Sequence, residues 1–169
     1  MGDMEVLVSG RVDDDVLPLL YKYFGGERSI AAKEFRAADY TYRTKKVHRA
    51  SKNELQASIR IGKPMIDRQH PDYMACMLVN EILGGYFGSR LMQNIREEKG
   101  YTYGIYSGIT PQKNATHLVI GTDVKQEHKS ETVDEIYREL QRLSTEPVAG
   151  EELDIVRNYI KGSFLSSIT

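Results

Sequence analysis

The order of hydrophobic patterns along this chain predicts an α+β fold: a two-layer sandwich in which a mixed or antiparallel sheet carries helices on one face. Three observations predict it. Glu54–Ile61 alternates cleanly, with Leu55, Ala57, Ile59 and Ile61 on one side and Glu54, Gln56, Ser58 and Arg60 on the other. Two more alternating stretches, 101–109 and 117–124, are separated only by the short polar run Pro111–Ala115, which suits an antiparallel hairpin. Helical patterns fill the intervals, so the order from residue 53 onward is strand, helices, two strands, two helices. One wet strand face and one apolar face place the helices on a single side.

Taken in order, Glu5–Gly10 (EVLVSG) reads as a short strand ending at glycine. Asp13, Asp14 and Asp15 set negative charge and a capping side chain at a helix start, a better use than metal binding because neighbouring helix-start residues point in different directions. Val16, Leu17, Leu20 and Phe24 give helical spacing, Pro18 is tolerated within the first turn, and Gly25-Gly26 close the helix. Residues 26–52 are charged and lack helical periodicity. Arg43–Lys52 holds five Lys or Arg and no acid, after Tyr40 and Tyr42. Basic residues beside aromatics can bind single-stranded nucleic acid. This run is short and offset by acids elsewhere, so a solvated linker with an edge strand over Tyr40–Val47 is the preferred reading.

Gly62-Lys63-Pro64 is expected to end the strand that begins at Glu54, and residues 67–71 form a loop holding His70. A helix from about Asp72 to Leu83 turns Met74, Met77, Leu78 and Ile82 inward and buries Cys76, the only cysteine. Gly84-Gly85 break that helix, and with Gly88 they serve the turn; no GKS/T follows to make a phosphate loop. Ser89 can cap the next helix, in which Leu91, Met92 and Ile95 face inward together. Lys99 suits the negative helix end and Gly100 a left-handed stop. Tyr101, Tyr103 and Ile105 then alternate with Thr102, Gly104 and Tyr106 as a strand leaves. After the strand with Leu118, Ile120, Thr122 and Val124 inward, a helix over Lys129–Leu143 carries Val133, Ile136, Tyr137, Leu140 and Leu143 on one face. A last helix from near Glu151 packs Leu153, Val156, Ile160 and Phe164, and it reaches Thr169 without a stop signal, as if cut within the helix.

Composition narrows the function classes. A net charge of −1 offers no overall field to nucleic acid or anionic membrane, and no apolar run is long enough to span a bilayer. Residues 1–10 read as a strand and show no signal peptide. There is no GxSxG, Walker loop or HxxEH motif, and His48, His70, His117 and His128 are scattered, none at helical spacing from another. They read as solvent-facing or structural, and this chain alone is expected not to hydrolyse a peptide bond.

The run GGYFGSRLMQNIREEKGYTYG, residues 84–104, resembles the second-domain signature of the insulinase-like (pitrilysin) family of zinc peptidases. There an arginine is followed seven positions later by a tyrosine, and the pair falls here on Arg96 and Tyr103 within IREEKGYTYG. The resemblance covers most of the chain. It implies the β-α-β-β-α-α unit of processing-peptidase-like metallohydrolases and three segments: residues 1–25 as the terminal strand and helix of a preceding domain, 26–52 as an interdomain linker, and 53–169 as a second-domain unit truncated at its C-terminus. It also implies that Arg96 and Tyr103 hydrogen-bond the backbone of a peptide substrate. Zinc would be held by residues outside this chain, in a catalytic HxxEH domain of the same parent chain or in a partner subunit. No nucleic-acid partner and no membrane insertion are expected. From the residues alone, Arg96 also suits a helix end or a pair with Glu97 or Glu98, and Tyr103 suits a strand. A scaffolding subunit-like domain without peptidase activity stands as the alternative.

Overall fold

In the computed structural model, residues 5–26, 42–49, 55–112 and 115–168 are described. The chain divides into two compact units, residues 1–39 and 40–169. The first contains α1 (Val16–Phe24), closed where the Gly25 amide donates to the Tyr21 carbonyl. Asp15 stands at the N-cap position, yet its side chain makes no capping hydrogen bond. The strand expected over 5–10 is absent: a strand exists only through its ladder, and none of the described residues pairs with this segment.

The second unit is α+β, as expected. Its sheet is antiparallel, with strand order β1-β3-β2, formed by β1 (Gln56–Met65), β2 (Ile105–Gln112) and β3 (Ala115–Lys125). Contrary to expectation, β1 runs through Gly62-Lys63-Pro64, with Pro64 opposite His117. Proline lacks only an N–H, and β1 is an edge strand of this sheet, so its outer side bonds to no described strand. Residues 42–49 form no strand; Tyr40 lies outside the described residues, as does much of the expected linker.

Helix α2 (Tyr73–Asn80) unwinds into a π-turn over Glu81–Gly85, where Gly84 leaves helical geometry. The turn needs glycine at Gly84 because a Cβ there would lie 2.7 Å from the Ser107 amide nitrogen of β2. Asn80 and Ser107 tie the same two elements, Ser107 Oγ donating to the Asn80 carbonyl at 3.2 Å. The inward stripe of α2 runs Tyr73, Met77, Asn80, so Met74 points to solvent and Cys76 is only half-buried, both corrections to the sequence reading.

Arg90 and Leu91 begin the next helix, which winds with π spacing over Met92–Glu98. Helices α3 (Lys129–Thr145) and α4 (Gly150–Ile168) complete the layer. Ala57 and Ile59 from β1, Ile105 from β2, and Ile120 and Val124 from β3 pack on Leu83, Leu91, Met92, Ile95 and Ile136. Burial of a Leu or Ile side chain contributes about 1.5–3 kcal/mol. On α3, Tyr137 faces outward and Glu135 and Glu139 face inward in its place. On α4, Val156 is buried, whereas Ile160 and Phe164 are exposed among the described residues.

Candidate functional site

The site is a helix, a reversal and the start of a strand. Leu91, Met92 and Ile95 bury one side of the helix and turn the adjacent Arg96 to the rim, where its side chain is 32% exposed. Gly100 ends the helix at φ +64°, the left-handed conformation expected of it. The Gly100 amide donates to the Arg96 carbonyl and the Tyr101 amide to the Ile95 carbonyl, a paired C-terminal closure.

That closure explains why β2 begins at Ile105 and not at Tyr101. The Tyr101 amide is already committed to the helix end. Thr102 Oγ1 accepts from the Gly104 amide and from Thr122 Oγ1, and lies 2.8–2.9 Å from the carbonyls of Gly104 and Asp123, to one of which its single proton goes. The 101–104 reversal is therefore pinned to β3 by two threonine hydroxyls. Tyr103 projects from it, 96% exposed and bonded to nothing among the described residues.

Among the described residues Arg96 has two partners. Its guanidinium carbon sits 4.6 Å from the centre of the Phe87 ring, within cation–π range, and its Nη1 pairs with the Glu97 carboxylate. No hydrogen bond joins Arg96 to Tyr103. The two residues flank Gly100 on the surface, one on the helix and one on the reversal that follows it.

A buried polar network carries this helix. The Asn94 amide donates to Glu135 Oε2 at 3.1 Å and to Glu139 Oε1 at 2.8 Å, and Lys99 Nζ lies 3.4 Å from Glu135. Burial opposes ionisation of Glu135, but bonds from Asn94, Arg138 and Lys99 outweigh it and hold the carboxyl below its ordinary range. At the helix start, Arg90 forms a forked pair with Glu152 of α4 at 2.8 and 2.7 Å, which keeps the Glu152 carboxyl low. Ser89 is buried, and its hydroxyl makes no hydrogen bond among the described residues, so it does not cap the helix as expected. Glu81, half-buried in the π-turn, is raised by desolvation. Hydrophobic periodicity hid Asn94, Glu135 and Glu139; the available signal was the i, i+4 spacing of two glutamates opposite an asparagine.

An open cavity of about 610 Å³ lies elsewhere, lined by residues including Pro64, Met65, His70 and Thr116, and neither Arg96 nor Tyr103 borders it. Among the described residues, no group of three or more His, Cys, Asp or Glu could hold a metal ion. Two of the histidines have other contacts: His128 stacks on Tyr101 at 4.3 Å, and His70 Nδ1 accepts from the Asp72 amide. Among the described residues no helix is long and apolar enough to cross a membrane.

A three-stranded antiparallel sheet with helices packed against it agrees with the fold of peptidase M16 inactive domains. Residues 2–160 match the family described as the peptidase M16 inactive domain, and the chain belongs to that family. It is 28% identical, over 166 residues, to the "uncharacterized zinc protease YmxG" of Bacillus subtilis (strain 168), covering 96% of this chain and 39% of that protein. A crystal structure of a peptidase M16 inactive domain from Pseudomonas fluorescens is 35% identical with a TM-score of 0.61, covering 65% of this chain and 27% of that one. A protease structure from Helicobacter pylori, 16% identical with a TM-score of 0.65, covers 92% of this chain and 39% of that one and shares the fold. The chain thus spans well under half the length of these relatives.

Proposed function

We propose that this chain is the substrate-positioning, non-zinc-binding portion of a zinc metalloendopeptidase, with Arg96 and Tyr103 contacting the backbone of a peptide substrate. The observation that carries this reading is the pair of hydrogen-bond donors presented at the surface on either side of Gly100, with the Tyr103 phenol bonded to no described residue. Family membership and the zinc-protease name of the Bacillus subtilis relative support it. Residues 53–169 act as the second-domain unit, 26–52 as a linker, and 1–25 as the terminal segment of a preceding domain. An HxxEH domain of the same parent chain or of a partner subunit would hold the zinc, which would supply an activated water there. The chain's own residues hold and orient the peptide. Arg96 donates N–H groups and Tyr103 its O–H to backbone carbonyls, including one on which negative charge develops.

Cleavage of a quenched-fluorescent peptide by the chain together with its zinc-binding half tests this. Arg96→Ala or Tyr103→Phe is expected to reduce turnover about 10²–10³-fold, as loss of one such donor typically does. Melting temperature should stay near that of the parent, because both side chains reach the surface. Unchanged turnover in both variants overturns the proposal.

A scaffolding role without peptidase activity is the second reading. It is favoured by the partners Arg96 already has, Glu97 and Phe87, which give the guanidinium a purely structural use. No hydrolysis from the same assembly would favour it.

A further inference from the structure

We infer that Phe87 is a positioning residue for Arg96: its ring is the surface on which the guanidinium is held for the peptide backbone. This rests on the role proposed above for Arg96. Phe87 lies in the turn between the π-turn and the helix that carries Arg96, and the ends of that turn are anchored. The Tyr86 ring packs on Tyr159 of α4 with centroids 4.9 Å apart. The Ser89 amide donates to the Tyr86 carbonyl at 3.1 Å, and the Ser89 side chain is buried. Phe87, between them, is turned outward and stays 64% exposed even with a cation 4.6 Å from its ring centre. An exposed phenylalanine contributes little to the core, whereas its negatively polarised face attracts a guanidinium. The arginine side chain has many rotamers, and a face that restricts them lowers the entropy lost when the group engages a peptide. Glu97 supplies charge from the helix itself, so the ring is the only contact outside that helix that orients the Arg96 guanidinium among the described residues.

Two measurements test this. In ¹H–¹⁵N spectra of this chain, the Arg96 Nε–H signal should be displaced by the ring current, lose that displacement in Phe87→Leu and keep it in Phe87→Trp. In peptide cleavage by the assembly with the zinc-binding half, Phe87→Leu should lower kcat/KM about two- to fivefold, the range a surface cation–π contact implies. Phe87→Trp should restore the rate, and Phe87→Leu should have no further effect once Arg96 is alanine. Additive effects of Phe87→Leu and Arg96→Ala, or a Phe87→Leu rate equal to the parent's while Arg96→Ala is impaired, overturn the inference and leave the role of Arg96 standing. If Arg96→Ala itself cleaves normally, the underlying reading fails and the inference falls with it.

Discussion

Asn94 donates its side-chain amide to the Glu139 carboxylate at 2.8 Å, and Glu139 is 2% exposed. A carboxylate removed from water needs hydrogen bonds to offset its desolvation. Glu139 receives them from Asn94 and from Arg142 at 3.2 Å, while Glu135 receives them from Asn94 and Arg138. The helix bearing Arg96 is thus held against α3 by apolar packing through Ile95 and by a polar clamp one residue earlier.

Asn94→Leu should therefore cost more than a surface change. Removing the donor leaves two inward carboxylates short of a partner, and hydrogen bonds to charged groups are worth about 1.5–3 kcal/mol. Urea denaturation should show a loss of that order. A loss below about 0.5 kcal/mol would mean the clamp is not what holds the helix.

Ile95 is fully buried in the same core. Ile95→Ala is expected to destabilise by about 2–5 kcal/mol through lost burial and a residual cavity. The same denaturation assay reads this, and a change under about 1 kcal/mol would show that the site collapses around the smaller side chain.

Gly100→Ala addresses the reversal itself. At φ +64° nothing lies within 4 Å of where a Cβ would sit, so the cost is conformational and not steric crowding from neighbours. An L-residue there costs about 1–2 kcal/mol. Asn, which tolerates this conformation better, should recover part of it. Equal melting temperatures for Gly100→Ala and the parent would contradict the left-handed closure.

Glu97→Gln removes the charge that competes for the Arg96 guanidinium. The pair is partly exposed, so stability should change by less than about 1 kcal/mol. Peptide cleavage by the complete assembly should show a lower KM, because a substrate carbonyl no longer displaces a carboxylate. An unchanged or raised KM counts against the substrate role of Arg96.

Two glutamates give opposite pH dependences. Arg90 holds the Glu152 carboxyl below the ordinary value of about 4.3. The stability this pair contributes is complete above that value and is lost as pH falls through the lower, folded-state pKa. Desolvation holds Glu81 high, so the fold prefers its protonated form, and stability is lost as pH rises from about 4.3 through its raised folded-state pKa. Melting temperatures followed from about pH 3 to 8 should show Glu152→Gln losing most at neutral pH and Glu81→Gln gaining there and not in acid. A pH-independent difference for either variant would remove its assignment.

Much of the fold was legible because burial imposes a period. The strand through Ala57 and Ile59, the hairpin through Ile120, the helix through Ile95 and the stop at Gly100 all announce themselves by side-chain alternation or by glycine. Errors arose where a backbone group found an unforeseen partner. Tyr101–Gly104 alternates like a strand, yet the Tyr101 amide is taken by the helix closure and the Gly104 amide and carbonyl by Thr102 and Thr122. Pro64 resembles a terminator, but at a sheet edge its missing N–H costs no ladder bond. Met74 and Tyr137 are apolar enough to be drawn inward, and each was displaced by a phase that a polar contact, Asn80 to Ser107 or Asn94 to Glu139, had set. Arg96 and Tyr103 are singled out as proposed substrate contacts only by a ten-residue family resemblance, and Phe87 carries no sequence signal at all.

The sequence by itself determined the order of strands and helices from β1 onward, the reversal at Gly100 and the absence of an HxxEH motif, since these depend on local spacing, glycine conformation and residue identity. Only the tertiary structure decided that Glu135 and Glu139 turn inward, that Thr102 and Thr122 delay the strand so that Tyr103 stands in solvent, and that Phe87 lies under Arg96. Each of those depends on a partner from another element or a neighbouring turn, and hydrogen bonds and ring contacts across such distances leave no period in the chain.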